Sequence, residues 1–381
     1  MRVTYTDRIC VASRQTGLSL IELMIAMVVG LILLSGVIAI FASGKRGYST
    51  NSAIAQVQED GRFALQFIRD DTRMTSYMGC TTTARTNSIL NPTGQLYSFL
   101  LPVYGFEYNN TDPSTATSAA PYVITSENPA TASMGGGNWA PVADATLPVN
   151  AIPGSDALLL YTAVGNPVYV TAPTAGGVIP VTDSTGFVPD QLAVITDCLR
   201  STVFQMSATS NSTPGTLTVG SGGAPGPGNS STSFAVGYEM GSQVLTADAI
   251  LYYIGLGQDK SPALFRVDVL PNGGINPTPS ELVPDVENMQ ILYGVDTTGG
   301  SLSTPNAYLD ASQVDATNNW SNVLSVQIGL LVRSNLAAVP QPAAPQTFNV
   351  LDTYVTVPAD TRLRRVFTAT IYVRNAPLPT D

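Results

Sequence analysis

From Leu18 to Ala42 the chain runs twenty-five residues with one charged side chain, Glu22, and no proline. At about 1.5 Å per residue this makes a helix of roughly 37 Å, enough to cross the ~30 Å hydrocarbon layer of a bilayer. A helix apolar on every side has no place on the surface of a soluble domain. An acid so near the start of such a helix is costly in lipid, so Glu22 reads as a functional residue by default. Whatever the rest of the chain builds must follow a membrane-length helix placed close to the N-terminus.

The seventeen residues before this run carry Arg2, Arg8 and Arg14 against Asp7, a short basic leader. Two readings compete. A secretory signal is cut after its apolar run, and Ala42-Ser43-Gly44 offers a small-residue site, but the run is longer than the 7–15 residues of a signal core. The other reading cuts before the run, between Gly17 and Leu18, and leaves the helix on the mature chain. An uncleaved anchor is the plain alternative and leaves Glu22 unexplained. Arginines before the run and Lys45-Arg46 after it make charge a weak guide to orientation.

Gly17-Leu18-Ser19-Leu20-Ile21-Glu22-Leu23 resembles the prepilin motif of type IV pilins and type II secretion pseudopilins. The resemblance implies that a membrane peptidase cuts after Gly17 on the cytoplasmic side and that Leu18 becomes an N-methylated N-terminus. Leu18 stands where phenylalanine is usual, an apolar replacement. Glu22 is then the fifth mature residue. A carboxylate in the first turn complements the helix dipole, and in lipid it should seek the amine of an adjacent subunit. Such a pair fixes the axial stagger of helices packing into a filament.

Composition narrows the function further. Only 12% of the 381 residues are charged, and Gly and Pro number 33 and 27, which suits an extracytoplasmic body of strands and long loops. A net charge of −10 argues against a nucleic-acid-binding surface. The chain has no histidine, which removes the commonest general base, the Ser-His and Cys-His pairs and most zinc sites. Neither an enzyme nor a cofactor is expected. Of the three cysteines, Cys10 lies in the leader; Cys80 and Cys198 remain, and an even count outside the cytoplasm suggests one disulfide, with two free buried thiols as the alternative.

Beyond Gly44 the apolar positions Ile54, Val57, Gly61, Ala64, Leu65 and Ile68 recur at helical spacing, predicting an amphipathic extension to about Tyr77 whose apolar face packs on a sheet. Gly44 and Gly47 predict a bend or a short unwound piece. Residues 81–153 read as long loops with few strands, and 207–233 as a loop or hairpin. Strands are predicted at 155–162, 178–181, 191–196, 248–254 and 263–268, the last two forming a hairpin. Residues 284–290 read as a short helix, followed by strands at 291–296, 323–333 and 364–374. The expected fold is α+β: a long N-terminal transmembrane and amphipathic helix packed on a C-terminal antiparallel β-sheet domain with long loops. Its parts are a cleaved leader, 1–17; a transmembrane and filament-core helix, 18–43; its amphipathic extension, 44–78; a variable loop- and strand-rich region, 79–243; and an antiparallel β region, 244–381.

Gly79-Cys80, Val286–Asp296 and Arg362-Leu363-Arg364-Arg365-Val366-Phe367 resemble the PilW type of minor pilin. This implies a subunit that helps initiate type IV pilus assembly within a tip complex. Its expected partners are other minor and major pilins, the prepilin peptidase and the inner-membrane assembly platform. It would sit in the bacterial inner membrane with a periplasmic body before entering the pilus. A type II secretion pseudopilin and a tip adhesin or DNA-uptake module are the competing readings. Three smaller features have chemical readings set against plain ones. Asp296–Gly300 is a calcium loop or a turn, Arg362, Arg364 and Arg365 are a DNA contact or an exposed strand edge, and the 16 tyrosines are a carbohydrate surface or strand residues.

Overall fold

The computed structural model describes residues 17, 19–81, 85–91, 94–126, 129–144, 147, 149–221, 226–270, 278–298, 304–338 and 344–375. Two compact units divide the chain, Met1–Asn51 and Ser52–Asp381. One α-helix, Leu20–Met74, begins in the first and ends in the second. It continues through Gly44 and Gly47, where an unwound piece was expected. Glycine lowers helix propensity by about 1 kcal/mol but keeps its N–H and C=O, so two isolated glycines leave the hydrogen-bond ladder intact.

Within the second unit the helix buries Ala53, Val57, Gly61, Ala64, Leu65, Ile68 and Thr72, a stripe at three- and four-residue spacing. Val57, Ala64, Leu65 and Ile68 join one hydrophobic core with residues of two sheets. Gly61 permits the closest approach: a Cβ there would lie 2.4 Å from the Phe367 ring.

The larger sheet has eleven strands. Its centre is Ala157–Tyr169 paired antiparallel with Gln243–Leu256, which also pairs with Leu192–Thr196 and Pro262–Asp268. Regions 79–243 and 244–381 therefore contribute neighbouring strands to one sheet. The 207–233 stretch contains a hairpin arm, with Ser201–Thr209 paired to Gly215–Val219. A second, four-stranded antiparallel sheet runs in the order Ala307–Leu309, Val286–Val295, Val323–Ala337 and Arg362–Tyr372.

Residues 284–290 correct the sequence reading: Ser280–Pro284 and Val286–Val295 are strands, not a helix. Pro284-Asp285 looks like a helix start, but Asp285 takes a left-handed conformation (φ 59°) and turns the chain from one strand into the next. Val286 to Ile291 are all buried, so apolar and polar residues do not alternate as they would on a half-exposed strand. The buried amides are satisfied from outside the strand: Asn288 and Gln290 both donate to the Gly154 carbonyl, at 2.5 and 2.9 Å.

Candidate functional site

The head of the long helix is built by Ser19. Its Oγ accepts the Glu22 backbone N–H at 3.3 Å, and its carbonyl accepts those of Glu22 and Leu23 at 3.1 and 3.2 Å. Ser19 thus caps the helix, and Glu22 falls in the first turn, where its carboxylate meets the positive end of the dipole. Ser19-x-x-Glu22 is the spacing of a capping box, a signal present in the sequence that the motif reading passed over. Gly17 is exposed, with nothing near the position of an added Cβ. Leu18 lies outside the described residues. Among the described residues no ion pair reaches Glu22.

From Leu20 to Phe41 every residue is exposed, with Leu20, Leu31, Ile32, Leu33 and Phe41 all above 60%. The apolar window has a mean hydropathy of 2.9 and none of it is buried. Water cannot be the environment of such a surface; a bilayer or a bundle of like helices can. The one hydroxyl midway along, Ser35, donates back to the Ile32 carbonyl at 2.7 Å, so it asks for no water.

Where the helix meets the sheets, polar contacts fix its end. Tyr252 donates to Asp71 at 2.7 Å and to the Phe67 carbonyl at 3.2 Å, and Arg266 reaches the same Asp71 oxygen at 2.7 Å. Thr75, just beyond the helix, donates to the carbonyls of Pro102 and Tyr161 at 2.6 and 3.1 Å. Cys80 and Cys198 are joined by a disulfide, which ties this exit to the end of Leu192–Thr196 across 118 residues.

A chain of alternating charge lies inside the body. Arg362 approaches Asp285 (3.8 Å), Asp285 meets Arg333 (3.0 Å), and Arg333 meets Glu287 (3.3 Å). Glu287 meets Arg364 (2.6 Å), and Arg364 meets Asp360 (2.5 Å). Three arginines face three carboxylates, and Arg333, Arg364, Asp285 and Glu287 all have side chains no more than 3% exposed. For Arg364 this corrects both readings of the arginine cluster, although Arg362–Tyr372 is an edge strand of its sheet, as the plain reading had it. Arg364 is neither a DNA contact nor an exposed edge charge; it spends its guanidinium on Glu287 and Asp360. Arg365 alone is exposed, lying over the Phe367 ring at 5.6 Å. Asp296 is buried and accepts the backbone N–H of Thr298 at 2.8 Å, as in a turn; Gly299 and Gly300 lie outside the described residues. Among the described residues no group of three or more His, Cys, Asp or Glu is placed to hold a metal.

Residues 251–375 match the family model described as Type IV Pilus-assembly protein W, and residues 12–38 match the prokaryotic N-terminal methylation motif. The C-terminal third is thus similar to the PilW type of pilus-assembly protein, and the N-terminus carries the methylation motif of pilins. No curated protein and no solved structure matched the chain. The two matches cover different parts of the chain. The first covers all six members of the buried charge chain, together with Phe367 against Gly61. The second covers Gly17, Leu18 and Glu22, and with the exposed helix it fits an anchor in a membrane and a place in a pilus. Interaction with other pilus components follows from the assembly family. The stretch from residue 39 to residue 250 lies outside both.

Proposed function

We propose that this pilin is a minor, non-enzymatic subunit that helps to initiate type IV pilus assembly and takes its place in a tip complex with other minor pilins. The observation that supports this is the capped, all-round apolar helix in a chain whose C-terminal third is of the assembly-protein type. Prepilin peptidase cuts between Gly17 and Leu18 at the inner membrane, and Leu18 is N-methylated. The new amine of Leu18 and the Glu22 carboxylate of a neighbour then pair as the helices leave the bilayer through the assembly platform. In that apolar bundle either charge alone is costly, so the pair sets register more than it adds stability.

Glu22→Ala tests this reading. Mass spectrometry of the mutant should find a processed and methylated N-terminus, while sheared pili should lack the subunit. Normal incorporation of the variant would overturn the role of Glu22. Deleting the chain tests the wider reading: surface pili should be lost. Normal piliation with failed protein secretion would make it a pseudopilin instead.

A further inference from the structure

Beyond pilus assembly, we propose that a cleft between the segment 94–101 and the turn 315–321 binds a neutral saccharide chain. The cleft has a volume of about 440 Å³ and is bounded by Gln95, Ser98, Tyr104, Asp315, Asn318 and Ser321. A second hollow of about 560 Å³ shares Gly94, Ser98 and Leu101 with it, so one groove runs along both sides of the turn Gln95–Tyr97. Each volume falls in the ~300–1,000 Å³ range of small-molecule sites.

The chemistry of the first cleft is set by Asp315. Its Oδ1 accepts two side-chain donors, the Tyr104 hydroxyl at 2.8 Å and the Trp320 indole N–H at 3.0 Å. Those two rings stack on each other at 4.3 Å and are 6% and 3% exposed, so the carboxylate is held by a rigid, buried support. Asp315 itself is exposed, leaving its other oxygen available to a ligand. Around it stand an amide on Asn318 and a hydroxyl on Ser321, which both donate and accept, with the Gln95 amide and the Ser98 hydroxyl, which donate to the Val142 and Gly94 carbonyls at 3.1 and 3.2 Å and keep their oxygens as acceptors.

This inventory selects among ligands. Among the described residues no lysine or arginine lines either hollow, which disfavours phosphate, sulfate and acidic sugars. One carboxylate among four neutral amphoteric groups is a poor match for a cation, which needs several oxygens of like charge. It matches a polyol, whose hydroxyls donate to the fixed carboxylate and exchange hydrogen bonds with the amides. Leu101, and Leu100 and Tyr97 in the second hollow, supply apolar surface for the C–H faces of sugar rings. Two adjoining hollows that share residues suit a chain rather than a single ring.

The test uses the full-length pilin in a zwitterionic detergent that carries no sugar headgroup. It is applied to an array of neutral and acidic oligosaccharides, with spermidine and a lysine-rich peptide as cationic probes. At least one neutral oligosaccharide should bind, and Asp315→Asn and Asn318→Gly should each weaken it at least tenfold. Asparagine keeps an acceptor for Tyr104 and Trp320, and glycine suits the left-handed backbone of residue 318 (φ 54°), so both variants should retain the wild-type unfolding midpoint. Ser321→Trp, which fills the mouth, should abolish binding. Three results would overturn the proposal: no neutral saccharide bound, binding unchanged in the three variants, or binding of the cationic probes alone. None of these bears on the assembly role, because the groove shares no residue with the helix head.

Discussion

Glu287 sits at the middle of the buried charge chain, and its removal has a calculable cost. Arg364 grips it with two hydrogen bonds, Nε to Oε2 at 2.6 Å and Nη2 to Oε1 at 2.9 Å, and Arg333 adds a third at 3.3 Å. Glu287→Gln keeps the shape but leaves three arginines facing two carboxylates in a site from which water is excluded. Breaking a buried pair from one side costs about 3–5 kcal/mol. A whole domain has about 5–15 kcal/mol of stability, so the variant loses a large share of it. Arg364→Gln should cost a similar amount, since it leaves three carboxylates facing two arginines. The double variant restores the charge balance and should lose at least about 2 kcal/mol less than the sum of the single losses. Urea unfolding of the full chain in detergent measures this, followed by the fluorescence of Trp139 and Trp320, both buried. Midpoints should move while the slope stays fixed. A single-variant loss under about 1 kcal/mol, or strict additivity of the two, would refute the view of this chain as a balanced, desolvated unit.

The contact between Gly61 and Phe367 should respond in the same assay. Gly61→Ala forces the ring to shift, which typically costs about 1–3 kcal/mol and outweighs the ~1 kcal/mol gained in helix propensity; in a Phe367→Ala background the same change should stabilise. Stability should also fall as pH rises from about 4 to about 8. Burial raises the Asp248 carboxyl to about 7 and Asp156 to about 8, and holds Glu107 well above its usual range. The folded chain therefore keeps protons that the unfolded chain releases near 4, and the slope is negative across that window. For Asp248 the difference between 3.8 and about 7 amounts to roughly 4 kcal/mol, and Asp248→Asn should flatten that part of the pH profile. Breaking the disulfide by Cys80→Ser should lower stability by about 2–4 kcal/mol, since the closed loop spans 118 residues; an unchanged unfolding midpoint would contradict this.

The features a reader could take from the sequence were those with a strong local period or motif. The apolar helix, its amphipathic continuation and the hairpin at 248–268 each repeat a simple pattern long enough to override exceptions. The cysteine pair followed from counting. What escaped was set by distant partners. Nothing around Val286-Glu287-Asn288 announces that Arg333, Arg364 and the Gly154 carbonyl will satisfy its polar groups, so a buried strand looked like the start of a helix. Arg364 looked exposed because its carboxylates lie 77 residues upstream and four residues before it. The Asp315 cleft joins residues more than two hundred positions apart, and no spacing rule reaches that far.

The pairing of Ala157–Tyr169 with Gln243–Leu256 bears on how such pilins can be recombined. The stretch outside both family matches is not a decoration clipped onto a finished core, because its strand Ala157–Tyr169 pairs along nine registered residue pairs with Gln243–Leu256, a strand that itself crosses into the family-matched part at residue 251. A graft that carries a foreign 79–242 segment into this scaffold would bring half of a seam whose other half stays behind. Exchange of surface specificity between relatives should then proceed through the loops at the sheet's ends, with both strands of the seam inherited from one parent.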